Sequence, residues 1–479
     1  MAHDGRHFIA APIKSRPAIG TVGNGTGLPQ LDISRCMPPT APRATAEVPR
    51  MAAETLRTTT EALRTTTEVP RMETEAPPAQ GELTVHVDRT QVIGAGQYST
   101  VCLGMIATAD APDKRIKCAI KIPHANDLDA RELGLVEAAG LWQAGSAPQT
   151  VGCFGLVNLK TIGGAQGECR VELWPAVAAQ AIAGDGEWAL VLEYCERGPC
   201  WSWMLENRMS MDAELFFVWA RQLATALVAL KAAGMAHMDI KGHNVLLTSD
   251  GHVRLADFTA AKFSAHALEA MQLASPGFDP RSYPAYTDFS GTIPYCAPEA
   301  LAPGASSKQH SNDEQHKMDI YALGVTLYAL FVSGRSPYAT VKSAVEQMLL
   351  ASKGAFWEWE ERHSIATLQS AAETAPSTPI ESMQPANMLN ATMPPSPVEP
   401  VCLLSRSVSL GPKPLVRRRT LKSRKAAPRE FRRFLSGDLL PVNIEALLHD
   451  MVDPDPSKRP DAADILRVLD SVESEIFEP

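Results

Sequence analysis

The sequence predicts an α+β fold in two lobes, a small β-rich lobe followed by a larger helical one. Three observations predict it. Short runs rich in strand formers crowd between about 83 and 123, helical periodicity takes over from 212, and Pro- and Ser-rich stretches outside them lack any core pattern. At 479 residues the chain exceeds one ordinary domain, which leaves room for such extra segments.

Residues 1–82 are rich in Pro, Thr, Ala and Arg and repeat "EVPRM" at 47–51 and 68–72 and "LRTTTE" at 56–61 and 63–68. These units offer little apolar surface to bury, so a disordered tail is expected. "LTVHVDRTQVIGAG", "STVCLGMIA" and "RIKCAIKIP" then read as a meander of three strands. A helix is expected through "LDARELGLVEAAGLW". Strands follow in "VGCFGLVNLKTI" and "WALVLEY", parted by a Gly/Ala-rich excursion near 163–186.

In "MDAELFFVWARQLATALVALKAAG", Leu215, Phe216, Trp219, Leu223, Leu227 and Leu230 share one helical face, with Gly234 as the stop. "MDIYALGVTLYALFV" is apolar nearly all round and reads as a buried central helix. Residues from about 353 to 436 lose periodicity and read as a flexible insertion, after which "VNIEALLHDMV" and "DAADILRVLDSVES" are amphipathic. The small lobe is expected over 83–195 and the large lobe over 196–479.

A net charge of −9 points to no general or specific affinity for nucleic acid. Nine cysteines without paired spacing suit a reducing compartment, and no Cys/His cluster suggests zinc. The N-terminus lacks a signal-peptide core, and "ALGVTLYALFV" is too short to span a bilayer. An intracellular protein, cytoplasmic or nuclear, without membrane attachment is expected. Asn24 and Asn390 head glycosylation-type triplets, which read as chance without an export signal.

The residues able to carry chemistry come in a fixed order. "GAGQYSTV" (94–101) joins two strands, and its glycines would let backbone approach a phosphate. Lys121 is a single lysine in the apolar strand "CAIKI". "HMDIKGHN" (237–244) supplies His237, Asp239, Lys241 and Asn244, and "LADFT" supplies Asp257 eighteen positions after Asp239. "GTIPYCAPE" (291–299), "DIYALG" (319–324) and Arg459 in "DPSKRP" complete the set.

This ordered set resembles the eukaryotic protein kinase family, serine/threonine kinases in particular, over roughly 83–350 and 437–475. By that resemblance, Gly94 and Gly96 cover the triphosphate of ATP and Lys121 holds its α- and β-phosphates. Asp257 chelates Mg²⁺, Asn244 binds a second metal ion, Asp239 accepts the proton of the substrate hydroxyl, and Lys241 steadies the γ-phosphate. Val101 and Ala119 from above and Leu246 from below sandwich adenine, Glu193 and Cys195 offer it backbone groups, and Leu192 sits at the gatekeeper position. Glu137 fits the usual spacing for the helix glutamate that pairs with Lys121, while Glu132 fits the usual local sequence. Lys241 and Thr292 match the serine/threonine group, Glu299 and Arg459 a buried anchoring pair, and Asp319 a brace of the catalytic loop. The substrates implied are Ser/Thr hydroxyls of proteins.

Three departures stand out. Ser99 replaces the third loop glycine, which should weaken ATP binding without abolishing it. Met238 replaces the arginine that in the family binds an activation-loop phosphate, so activity should not need that phosphate. Thr259 replaces the glycine after Asp257-Phe258, where a β-branched residue at positive φ would stiffen the metal-binding loop. The alternative to an enzyme is a pseudokinase scaffold, and a small-molecule phosphotransferase would not need "GTIPYCAPE". "KPLVRRRTLKSRKAAPREFRR" (413–433) holds ten Lys or Arg and one Glu, which reads as a solvated segment, a nuclear-import signal or a polyanion contact. Ser409, Thr420 and Ser436 each follow an arginine three residues upstream, a pattern favoured by basophilic kinases, this one or another.

Overall fold

The computed structural model describes residues 83–363 and 432–477 apart from 110, 146, 163, 185, 288–290 and 303–309. All of these belong to the second of the chain's two units, Pro49–Pro479. The expected tail lies outside the described residues.

The small lobe is an antiparallel sheet. Strands β1 (Leu83–Ala95), β2 (Ser99–Thr108) and β3 (Ala111–Pro123) form the expected meander. With β4 (Cys153–Asn158), β5 (Gln166–Arg170) and β6 (Trp188–Glu193) they make a six-stranded sheet in the order β4-β6-β3-β2-β1-β5. Side chains alternate across it. Val85, Val87, Cys118, Ile120, Ala189 and Val191 fill a core on one face, and Leu190 and Leu192 join the larger core on the other.

Helix α1 (Leu128–Ala144) lies on that second face. Asp127 caps it by accepting the Ala130 N–H at 3.1 Å, and Gly145 ends it at φ +57. The Gly/Ala-rich excursion is not featureless. It holds β5, which pairs with β1, and helix α2 (Trp174–Ala183), which packs against α1.

The larger lobe begins with the short strand β7 (Gly198–Pro199) and helix α3 (Cys200–Glu206). Helix α4 (Ala213–Ala232) follows, capped by Asp212 and closed by Gly234 at φ +71. All six residues expected on its inner face are buried. It is the one described helix long and apolar enough to cross a membrane, and its apolar residues fill the lobe's core. Short strands β8 (Met235–Ala236), β9 (Val245–Leu247), β10 (Val253–Leu255) and β11 (Lys262–Phe263) carry the loops of the site. Helices α5 (Ala265–Ala274) and α6 (Pro284–Thr287) come next.

The expected central helix is α7 (Asn312–Tyr328), started by a Ser311/Glu314 capping box and continued by a π-helical turn, Ala329–Ser333. Every residue from Met318 to Phe331 is buried. Helix α8 (Ala344–Ser352), then α9 (Val442–Met451) and α10 (Ala462–Phe477) complete the lobe.

The insertion expected over 353–436 is too wide at both ends. Residues 356–363 are helical, with Phe356 and Glu360 buried and Glu360 paired to Arg335 at 3.1 Å. At the far end the Arg432 guanidinium lies 4.0 Å from the Trp357 ring centroid, and Phe434 packs on Phe216 at 5.6 Å. A few aromatics among Pro, Ser and basic residues supply the buried area that average composition conceals. Ser436 is in this ordered part, its hydroxyl donating to Asp438 at 2.8 Å. Ser409, Thr420 and most of the basic stretch lie outside the described residues.

Gly324 lets α7 meet α9. A Cβ there would stand 2.8 Å from Met451 Cβ and 2.9 Å from Val452 Cγ1. Gly324→Ala should therefore cost about 1–3 kcal/mol through overpacking, despite alanine's better helix propensity. Urea unfolding of the variant against wild type measures it.

Candidate active site

Strand parity sets the first half of the site. Cys118 and Ile120 point into the small core, so Ala119 and Lys121 point the other way, toward α1 and the second lobe. The Lys121 ammonium lies 2.7 Å from Glu137 Oε2 on α1 and 2.9 Å from Asp257 Oδ1 in the loop after β10. Glu137, 1% exposed, is therefore the partner on the helix. Glu132 is half-buried within electrostatic reach of Tyr283 instead.

Burial works against the Lys121 charge, but the two carboxylates outweigh it and hold the ammonium pKa above its ordinary value. Burial likewise lifts the Asp257 carboxyl, yet the Lys121 charge and hydrogen bonds from Lys121 and Thr259 overcome that and bring it down to about 2. Burial pushes Glu137 upward, opposed by Lys121.

Thr259 behaves differently from expectation. It sits in the 3₁₀ turn Phe258–Ala260, and the positive φ, +67, belongs to Asp257 itself. Aspartate tolerates that region better than a β-branched residue. The threonine hydroxyl instead donates to Asp257 Oδ1 at 2.9 Å. Any stiffening of the loop therefore comes through a side-chain hydrogen bond, a role that "DFT" alone does not announce.

The second half of the site lies between β8 and β9. Asp239 Oδ2 accepts from Lys241 Nζ at 2.8 Å and from Asn244 Nδ2 at 2.9 Å, and Oδ1 accepts from Thr292 Oγ1 at 2.8 Å. Lys241 Nζ also donates to Thr292 Oγ1 at 2.7 Å. Asp319 on α7, fully buried, accepts the backbone N–H groups of His237 and Met238 at 2.7 and 2.8 Å. The Thr326 hydroxyl of the same helix donates to the Ile240 carbonyl at 3.2 Å.

His237 joins the two halves. Its Nε2–H donates to the Ala256 carbonyl at 3.1 Å, and its Nδ1 accepts the Asp239 N–H at 3.3 Å. Only the neutral ring can do both. Burial, despite nearby Asp239, lowers the His237 pKa and keeps it neutral. The Ala256 N–H donates to the Asn244 carbonyl at 2.8 Å, so the residue before Asp257 is tied to the loop of Asp239 at both its N–H and its carbonyl.

The cleft residues take their places on opposite sides. Val101 on β2 pairs with Lys121, Ala119 on β3 pairs with Leu103 and Leu192, and Leu246 on β9 pairs with Pro199 and Arg254; Val101, Ala119 and Leu246 are half-buried. Leu192 is 7% exposed between Ala119 and Cys153. The Glu193 carboxylate is engaged by Arg254 Nε at 3.2 Å and by the Gly152 N–H at 3.0 Å, and the Cys195 carbonyl accepts the Gly198 N–H at 3.0 Å. At Gly94 and Gly96 a Cβ would meet nothing nearer than 3.7 and 3.8 Å. Protein packing does not demand glycine there.

Far below, Arg459 is 2% exposed and forks onto Glu299 at 2.6 and 2.9 Å. It also donates to the carbonyls of Asp453 and Lys317 at 2.8 and 2.9 Å. This pair anchors the segment holding Thr292.

Residues 171–468 match the family described as protein kinase domain. The chain belongs to that family. Serine/threonine-protein kinase cds1 of Schizosaccharomyces pombe is 30% identical over 177 residues, 37% of this chain and 34% of that protein. The 3-phosphoinositide-dependent protein kinase 1 of Arabidopsis thaliana is 33% identical over 150 residues, 31% of this chain and 27% of that protein. Mitogen-activated protein kinase kinase kinase dlk-1 of Caenorhabditis elegans is 25% identical over 154 residues, 32% of this chain and 14% of its own. The alignments thus span about a third or less of these relatives.

Protein kinase domains use ATP and typically Mg²⁺. Among the described residues no cluster of three or more His, Cys, Asp or Glu could hold a metal unaided. Asp257 offers a carboxylate 36% exposed to the cleft, and Asn244, with its Nδ2 spent on Asp239, offers its amide oxygen. Two hard oxygen donors fit a small hard cation whose remaining ligands are phosphate and water.

The geometry generates two predictions. Glu137→Gln should lower unfolding free energy by about 3 kcal/mol, because a buried charge loses a partner. Glu132→Gln, which leaves Lys121 its helix partner, should cost less, and chemical denaturation of both compares them. The second concerns pH. Because the Asp257 carboxyl lies below its unfolded value of 3.8, its stabilising contribution is present above about pH 4 and lost as pH falls toward 2. Asp257→Asn should flatten the acid limb of the unfolding midpoint over that window.

Proposed function

We propose that this protein is a serine/threonine protein kinase, transferring the γ-phosphate of ATP to Ser or Thr hydroxyls of protein substrates. One observation carries the reading: Asp239, Lys241, Asn244 and Thr292 form a closed hydrogen-bonded set, joined through His237 and Ala256 to the Lys121–Asp257 pair. A scaffold that only bound partners would not require all of these groups.

The roles follow from chemistry. Lys121 carries a charge suited to the α- and β-phosphates once Asp257 turns from it to a metal. Gly94 and Gly96 present bare backbone where phosphates would pass. Asp257 and the amide oxygen of Asn244 would hold Mg²⁺, which would neutralise negative charge on the phosphates. Asp239 has its carboxylate aimed by three donors and accepts the proton of the incoming hydroxyl. Lys241 lies beside the place where charge spreads on the transferring group. Val101, Ala119 and Leu246 close on adenine, with backbone of Glu193 and Cys195 beside its edge and Glu137 holding Lys121.

The contact of Lys241 and Thr292 with one aspartate supports Ser/Thr acceptors. The basic stretch 413–433 supports polyanion or nuclear-import contacts and, with the arginines before Ser409, Thr420 and Ser436, a basophilic kinase acting on this chain. Seven free cysteines among the described residues suit a reducing, intracellular setting.

The test is ATP-dependent phosphorylation of a generic basic protein, followed by phosphoamino-acid analysis. Wild type should yield phosphoserine or phosphothreonine, and Asp239→Asn should lower kcat about 10²–10⁴-fold. Wild type with no transfer would favour the pseudokinase reading, and equal transfer by both would contradict the role proposed for Asp239.

A further inference from the structure

The second half of helix α1 is buried on every side. Six consecutive residues, Val136 to Leu141, have lost contact with solvent, and six residues exceed one 3.6-residue turn. One side is explained by the site, where Glu137 meets Lys121 and Gly140 lies beside Phe258 and Phe263. The other side is covered by α2, α5 and α6.

The packing there is aromatic. Trp174, 3% exposed, sets its ring against that of Phe278 at 5.2 Å and 82°. Phe278, wholly buried, comes from the segment between α5 and α6 and also touches Tyr283 at 6.1 Å. Edge-on aromatic pairs of this kind add to their buried area. Val177, Ala178 and Ala181 continue the inner face of α2 at helical spacing. Arg131 of α1 lies under Gly184 at the end of α2, where a cation meets the negative end of a helix.

We propose that Trp174 and Phe278 are positioning residues that clamp α1 from outside and so hold Glu137 against Lys121, with no phosphate on the segment needed. Met238, beside Asp239, has no charge with which to bind such a phosphate. The clamp supplies by carbon packing what a phosphate–arginine contact would supply by charge. This inference deepens the kinase reading and rests on it for its purpose.

The experiment follows Lys121 itself, by the pH dependence of its labelling with an amine-reactive reagent, read by mass spectrometry on the full chain. Glu137→Gln serves as the reference for a lysine that has lost its helix partner. Trp174→Ala and Phe278→Ala should shift labelling the same way, raising the rate at a fixed mildly alkaline pH about tenfold, and should raise KM for ATP. Trp174→Phe should restore most of both. Phosphatase treatment of wild type should leave the labelling profile and activity unchanged. Should the alanine variants fail to fold, Phe278→Leu, a smaller apolar change, should give the same shift in lesser degree. Folded Ala or Leu variants with a wild-type Lys121 profile would overturn the clamp, as would loss of activity on phosphatase treatment. A responsive Lys121 in a wild type that phosphorylates nothing would instead overturn the kinase reading alone.

Discussion

One ammonium group ties the structure together. Lys121 comes from a strand of the small lobe, Glu137 from the helix behind it, and Asp257 from a loop of the large lobe, and all three meet within 2.9 Å. Two carboxylates on one lysine would be costly to bury if either lacked the cation. The sheet must therefore hold β3 in register, α1 must stay seated, and β10 must end where it does. The alternation of Cys118, Ala119, Ile120 and Lys121 across the sheet makes this possible. A slip of one residue would turn the lysine into the small hydrophobic core.

The large lobe solves the complementary problem of aiming an acceptor. Asp239 is aimed by side chains in front and by backbone behind. Met238 adopts φ +67, a conformation that costs of order 1–3 kcal/mol for a residue with a side chain. It persists because Asp319, buried in the central helix, holds the consecutive backbone N–H groups of His237 and Met238. His237, buried and neutral, then ties Asp239 to the carbonyl before Asp257. Asp239 and Asp257, the proposed proton acceptor and metal ligand, are thus tied to each other through the imidazole and the Ala256 backbone, although among the described residues no side-chain bond joins them directly.

Much of this was legible in the residues. The lysine in "CAIKI", the Asp-x-Lys-x-x-Asn run and the later Asp257 announced their places by order and by strand parity. The fold class followed from strand and helix patterning, and the central helix from a run apolar nearly all round. Three features escaped for physical reasons. Glu132 and Glu137 could not be separated because the second half of α1, from Val136 to Leu141, is enclosed all round, so the sequence there carries no amphipathic sign of which face meets the lysine. The Gly/Ala-rich excursion near 163–186 gave no sign of β5 or α2, yet α2 with its small residues packs against α1. Thr259 misled because the left-handed residue is its neighbour but one. The family match begins at residue 171, so the placement of Lys121 and Glu137 rests on strand register and ion-pair geometry.

The central claim is that Asp257 and Lys121 form one site for a metal-bound nucleotide, the carboxylate leaving the ammonium to hold the cation. Calorimetric titration with a non-hydrolysable ATP analogue, with and without Mg²⁺, measures this in wild type and Asp257→Asn. The account predicts that Mg²⁺ tightens binding to wild type and that the variant binds nucleotide without that gain. Wild type indifferent to Mg²⁺, or a variant that keeps the full gain, would contradict it.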